Sequence, residues 1–411
     1  MIEDNVTTLE LAGFTKVQKA DVYKAGRLAA SLSRVEGGIK FSYLESYLSS
    51  GGRPVATTLV LTDEPLVTHG GSVPPFFAGL LPEGRRLSSL RRAVKTSVDD
   101  ELSLLLAVGR DVIGDVQVVP SGIEPTPAEP VLSVDRDWGE VNFSLVLAES
   151  GMVDRVGMPG VQDKVSARMI SVPVRHAGKR FLLKINPPEY PYVVENEAFF
   201  FNLARRARVK AAQMELIHDR DGNAGLLVQR FDRIPEASGT TLSLACEDAC
   251  QVLGRWPGDK YNLSAEQVLR GLADHCAARS VALRTLYQQL CFGWLTGNGD
   301  MHAKNLSILS DQDGEWHISP AYDLPSTVPY GDKSFALSML GKTRGFSRRH
   351  FLEFAVSVGL RERVGVSVLD DLLDKTEGLE DQLSDQALPF ERNVTIDIVK
   401  ELKFRRRQAS G

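Results

Sequence analysis

The sequence predicts an α+β protein in which a strand-rich lobe precedes a larger, mainly helical lobe. Three observations predict it. Short β-like runs surround one helical stretch between Val165 and Phe231, and beyond Thr240 apolar residues recur mostly at helical spacing. Between Ser121 and Pro130 lies an aperiodic stretch with three prolines, which reads as a linker behind a mixed strand-and-helix segment. At roughly 150 residues per domain, the 411 residues fit two to three units. The expected boundaries are 1–121, 131–233 and 234–411.

Composition excludes several classes. Apolar residues at 43% and charged residues at 25% are ordinary for a globular chain, so disorder, collagen and coiled coil are poor descriptions. Lys plus Arg at 48 against Asp plus Glu at 53 gives a net charge of −5, which argues against coating nucleic acid by bulk charge. Met1 to Glu10 carries acids without an apolar run, and no window approaches a membrane span, so the chain reads as cytoplasmic. The four cysteines, Cys246, Cys250, Cys276 and Cys291, lack paired metal-site spacing even with His275 nearby and read as buried thiols.

Individual elements follow in order. Phe181 to Ile185 is a strand with one cation, Lys184, inside an apolar run, where an unpaired ammonium is costly. Lys184 therefore needs a partner, and Glu197 on the helix-like stretch Val194 to Arg206 is the candidate for a pair crossing between lobes. Gly225 to Arg233 is an apolar strand that turns polar where the lobes should join, a hinge offering backbone groups to a base. Ser264 to Gln267 is a capping box. Leu286, Leu290 and Trp294 mark one face of a helix that stops at Gly297.

After that helix comes a polar loop with Asp300, His302, Lys304 and Asn305 within six positions, then a strand, the turn Asp311-Gln-Asp-Gly314, a return strand and Asp323. The hairpin brings Asp323 back beside Asn305. Singly, each group reads as a loop cap or turn acid. Together they supply what phosphoryl transfer from ATP requires, a base for the incoming hydroxyl and oxygen ligands for Mg²⁺. Upstream, Gly157 to Val165 is a loop with backbone N–H groups and Lys164 available to phosphate, though neither a Walker A loop nor G-x-G-x-x-G.

These residues resemble the HipA family, toxin kinases of bacterial toxin–antitoxin pairs. The resemblance lies in Phe76-Phe-Ala-Gly-Leu-Leu-Pro-Glu-Gly84, Val108 to Val116, Gly160-Val-Gln-Asp-Lys164, Gln229-Arg-Phe-Asp-Arg233, Glu247 to Gly254, Gly299-Asp-Met-His-Ala-Lys-Asn305 and Tyr322-Asp-Leu324, in one unbroken order. It implies a bilobal protein-kinase-like fold with an extra N-terminal α/β subdomain, and ATP with Mg²⁺ as cofactors. It also implies a HipB-like DNA-binding antitoxin as partner, DNA contact only through that complex, and a protein substrate such as an aminoacyl-tRNA synthetase.

Carried over by position, the resemblance makes Asp300 the base, with Lys184, Lys304 and His302 also placed at the catalytic centre, and Asn305 and Asp323 metal ligands. Gly160, Val161, Gln162, Lys164, Lys184, Glu197, Gln229, Phe231 and Asp232 would surround the nucleotide. Where several members carry an autophosphorylated serine, this chain has Gly157, which has no hydroxyl to modify. Two other readings share these residues: a small-molecule phosphotransferase, and a kinase-shaped co-repressor. The basic runs Arg85, Arg86, Arg91, Arg92, Lys95 and Lys403 to Arg407 are expected as a solvated face and a frayed tail.

Overall fold

The computed structural model describes residues 11–125, 132–134, 137–149, 170–236 and 240–411. The first sheet is antiparallel, in the order β4 (Leu66–His69), β3 (Gly38–Tyr43), β2 (Arg27–Val35), β1 (Lys19–Lys24), β5 (Val116–Pro120). Alternation places Ala20, Val22, Ala30, Leu32 and Phe41 in one core with Phe77, Leu102 and Leu105 of the covering helices. This is an α+β unit in its own right.

The second sheet runs β6 (Leu132–Val134), β7 (Ile170–His176), β8 (Lys179–Ile185), β10 (Ala224–Gln229), β9 (Met214–His218). The helix Val193–Arg206 packs on β9 and β10. Its apolar face, with Val194, Phe201 and Ala204, is buried, and between Ile170 and Gln229 it is the one helix among the strands, as the sequence pattern predicts. A two-stranded ladder, β11 (Arg233–Pro235) with β12 (Thr241–Ser243), leads into the helical lobe.

There the small sheet β13 (Cys246–Asp248), β14 (Ser307–Ser310), β15 (Trp316–Ile318) contains the expected hairpin, with Ile308 opposite Ile318. Ser264 accepts from the Gln267 backbone N–H at 3.2 Å and caps the helix Ala265–His275. The helix Arg279–Leu295 has an exposed first turn and is buried on all sides from Leu286 to Leu295; after it, Gly297 at φ +74° turns the chain into the polar loop. The four cysteines are buried and free. Among the described residues, no helix is long and apolar enough to cross a membrane.

The C-terminal basic run corrects an expectation. Lys403 to Arg407 belongs to the helix Arg392–Ser410, and two of its arginines are internal cross-links rather than a frayed tail. Arg405 is fully buried, lies 4.1 Å from the Trp294 ring centroid and donates to the carbonyls of Trp294 (3.0 Å) and Lys333 (2.7 Å). Arg406 donates to the Leu373 carbonyl at 2.7 Å. A guanidinium can bury its stem while its fork satisfies several carbonyls, which a run of positive letters does not reveal.

Hydrogen bonds are among the contacts that anchor the first unit to the others. Asp232 accepts from the Gly114 N–H (2.9 Å), Gln251 donates to the Phe76 carbonyl (2.9 Å) and Lys304 to the Gly79 carbonyl (3.1 Å). Glu247 on β13 accepts from the Thr57 N–H and hydroxyl at 2.8 and 2.7 Å. Burial pushes the Glu247 carboxyl up to about 7, against the lowering effect of Thr57. An exposed Glu titrates near 4.3, so on raising the pH the unfolded chain releases this proton first, and stability falls between the two values. Glu247→Gln removes that fall. Relative to wild type, the variant should gain roughly 2–3 kcal/mol between pH 5 and pH 8. Urea unfolding at both pH values checks this; a variant-to-wild-type difference independent of pH contradicts it.

Candidate active site

A cleft of about 340 Å³ lies where all three units meet. Its walls include Gly79, Glu83 and Arg86 from the first unit, Lys184 and Val228 to Phe231 from the second, and Asp248, His302, Lys304, Asn305 and Asp323 from the third. A larger, more open groove of about 1070 Å³ between the helices Leu379–Ser384 and Arg392–Ser410 contains none of the candidate residues.

Lys184 lies in the middle strand of its sheet, opposite Leu226 on β10 and Ser171 on β7. Its ammonium is buried and donates to both oxygens of Glu197, at 2.7 and 3.0 Å, and to Asp323. The partner required by the apolar run is therefore present. The crossing between lobes is made differently from the expectation, because Lys184 and Glu197 both belong to the strand-rich lobe and Asp323 is the group that reaches over from the helical one. Burial alone would lower the Lys184 ammonium, but the carboxylates of Asp323 and Glu197 hold it above its ordinary value, so it stays charged.

Asp323 adopts φ +51°, the left-handed region in which Asp is among the better-tolerated non-glycine residues. Asn298 ties it to the polar loop: its amide nitrogen donates to the Asp323 carbonyl (2.9 Å) and its oxygen accepts from the Asp300 N–H (3.0 Å). Asp300 is buried; its carbonyl accepts from Asn305 Nδ2 (2.9 Å) and the His302 N–H (2.8 Å). One carboxylate oxygen accepts the Tyr261 hydroxyl at 2.9 Å. Burial first, and the Asp300 carboxylate second, push the Tyr261 phenol well up, so it remains a donor. Gly299 permits this packing, since a Cβ there would lie 2.6 Å from the Ser334 carbonyl oxygen.

The structure places the other candidates as follows. Phe231 and Tyr322 form a tilted ring pair, 5.8 Å between centroids, on the hinge side of the cleft. Gln229 lines the same wall. Asp232 is also there, but its carboxylate is occupied by Arg230 (2.9 Å), Arg233 (2.7 Å) and Gly114, which makes it a lock between units. Lys304 donates to Asp248 (2.6 Å) and to Gly79, fastening the loop to the first unit. The His302 ring packs edge-on against Tyr261 at 5.1 Å. Gly157, Gly160, Val161, Gln162 and Lys164 lie outside the described residues.

Arg86 corrects the expectation of a solvated basic face, since its side chain lines the cleft. Tyr261 carried no local signal because its partner Asp300 is fixed only by the tertiary fold; Asn298 meets Asp300 two residues on, but its contact with Asp323 is equally a product of the tertiary fold.

The donor set fits a magnesium-bound nucleotide. Asp323 and Asn305 offer hard oxygen donors to the same space, and no described donor engages the Asn305 amide oxygen.

A lysine–glutamate pair facing an aspartate–asparagine loop and a second aspartate across a lobe boundary defines a protein-kinase-like site. Comparison with known proteins specifies the family. The family model for the HipA-like C-terminal domain matches residues 156–379, and that for the HipA N-terminal domain matches residues 20–119. Protein Y4dM of Sinorhizobium fredii is 30% identical over 394 residues, covering 88% of this chain and 90% of that protein. The serine/threonine-protein kinase toxin HipA of Shewanella oneidensis is 27% identical over 296 residues, covering 64% and 65%. A solved structure of HipA with HipB and operator DNA from the same species superposes with a TM-score of 0.75 at 20% identity, covering 95% of this chain and 96% of that one, and shows the shared fold. The chain belongs to the HipA family of kinases.

Removing Lys184 leaves Glu197 buried without a counter-charge. Lys184→Met should cost about 3–5 kcal/mol of stability, and adding Glu197→Gln should restore at least half of the loss. Urea unfolding of both variants checks this; a double variant no more stable than the single one contradicts the pairing.

Proposed function

We propose that this chain is an ATP-dependent serine/threonine protein kinase, acting as the toxin of a toxin–antitoxin pair. The observation that carries the kinase reading is the convergence of Lys184, His302, Lys304, Asn305 and Asp323 in one cleft, with the buried Glu197 bonded to Lys184 and the buried Asp300 bonded through its carbonyl to Asn305. Bound with ATP, magnesium would be held by Asn305 and Asp323 and would neutralise charge on the phosphoryl oxygens. Lys184, kept charged by its two carboxylates, is suited to hold phosphate oxygens. Phe231 and Tyr322 offer apolar surface to the base, and the hinge backbone offers donors and acceptors.

Asp300 would accept the proton of the incoming hydroxyl. Tyr261 and Asn298 orient it by hydrogen bonds to its carboxylate and its backbone N–H. Electrostatic positioning dominates phosphoryl transfer, so this fixed arrangement is the chemistry expected of the site.

The toxin role, a HipB-like antitoxin as partner and a cellular protein as substrate, with an aminoacyl-tRNA synthetase as one candidate, are supported by the relative that bears the toxin name and by the likeness to the HipA of the HipA–HipB complex. Contact with DNA would come through that partner. Because Gly157 offers no hydroxyl, restraint by phosphorylation at that position is closed, and the partner becomes the source of restraint.

Asp300→Asn should retain the fold and ATP binding while lowering phosphate transfer to protein about 10²–10⁴-fold. The test follows labelled phosphate from ATP into proteins of a cell extract, with wild type and variant side by side. Transfer by the variant at the wild-type rate contradicts the assignment of Asp300, and no transfer by wild type to any protein contradicts the protein-kinase reading.

A further inference from the structure

Among the described residues, the charges around the cleft are matched with one exception. Lys184 lies between Glu197 and Asp323, Lys304 against Asp248, and Arg230 and Arg233 share Asp111 and Asp232. Arg86 also lines the cleft, but makes no hydrogen bond or ion pair with any described residue. The carboxylate that attracts it, Asp111, already accepts Arg230 at 2.7 Å and Arg233 at 3.0 Å. Two carboxylates thus face three guanidinium groups.

This is not a loose surface arginine. It sits on the first turn of the helix Gly84–Val94, which is held from both sides. Glu83 accepts from Lys260 of the helical lobe, and Arg85 pairs with Glu189 of the strand-rich lobe at 2.6 Å. Burial, and then the like charge of Arg230, lower the Arg86 guanidinium from its ordinary value. A guanidinium does not give up its proton in a protein, so desolvation without a partner among the described residues leaves a cost that a bound anion would offset.

We propose that Arg86 binds the phosphate groups of the nucleotide in this cleft, so that the N-terminal unit completes a site otherwise built by the two kinase lobes. The inference rests on the nucleotide reading above. A planar fork of N–H donors matches phosphate oxygens in a bidentate manner, which a lysine ammonium does not reproduce. The anchoring of the helix Gly84–Val94 to both lobes then links nucleotide occupancy to the seating of the N-terminal unit.

Full-length wild type, Arg86→Ala and Arg86→Lys are compared by calorimetric titration with Mg-ATP and with adenosine, which has no phosphate. Arg86→Ala should bind Mg-ATP about 10–100-fold more weakly, on the scale of one charge-assisted bidentate contact. Its adenosine affinity should stay within about twofold of wild type, and Arg86→Lys should recover only part of the loss for Mg-ATP. Without ligand, Arg86→Ala should melt no lower than wild type, because no partner among the described residues is lost.

Mg-ATP affinity unchanged in Arg86→Ala overturns the inference while leaving the nucleotide reading intact. An equal loss for adenosine overturns it as well, since the effect would then not lie at phosphate. A wild-type chain that binds neither ligand contradicts the nucleotide reading itself and this inference with it.

Discussion

The buried ammonium of Lys184 is the constraint on which the site depends. Placed in a central strand among apolar residues, it can remain charged only where carboxylates meet it, and Glu197 and Asp323 do so from two directions. Glu197 fixes the helix Val193–Arg206 against the second sheet. Asp323 fixes the end of the β14–β15 hairpin, and through Asn298 the Asp300 loop. One cation therefore ties the strand-rich and helical lobes together at the cleft.

The first unit is part of the same construction. Its segment from Phe76 to Glu83 reaches the Asp300–Asn305 loop through Gly79 and Lys304, and Gly79 lies so close to Gln251 that a Cβ there would meet that side chain at 2.6 Å. Asp232, Glu247 and Gln251 each bind the first unit from another. Buried polar contacts of this kind lose more by being broken than they gain by being formed, which favours one seating over many. A cleft assembled from three units in this way can respond to whatever grips two of them.

Legibility in the sequence followed the range of the interaction. A lone lysine in Phe181 to Ile185 demands a counter-charge, and a helix 13 residues on supplies it. The turn Asp311 to Gly314 and the capping box at Ser264 are likewise local, and both form as their residue types require. The Lys184–Asp323 contact spans 139 residues, and Tyr261 meets Asp300 across 39, so no spacing announces either. Basic runs were the least readable feature. Arg86, Arg405 and Arg406 look like solvated charge in one dimension, yet a guanidinium can line a cleft or cross-link carbonyls in a core. Asp232 was legible as a residue of the hinge, but its engagement by Arg230 and Arg233 was not.

The central claim is that the Lys184 junction is the place where the nucleotide is received. A crystal structure of the chain with magnesium and a non-hydrolysable ATP analogue tests it most directly. The expected result is analogue phosphate within hydrogen-bond distance of Lys184, metal on Asp323 and Asn305, and the Lys184–Glu197 pair retained. An analogue bound elsewhere, with Lys184 still enclosed by Glu197 and Asp323 and no metal at Asn305, would contradict it.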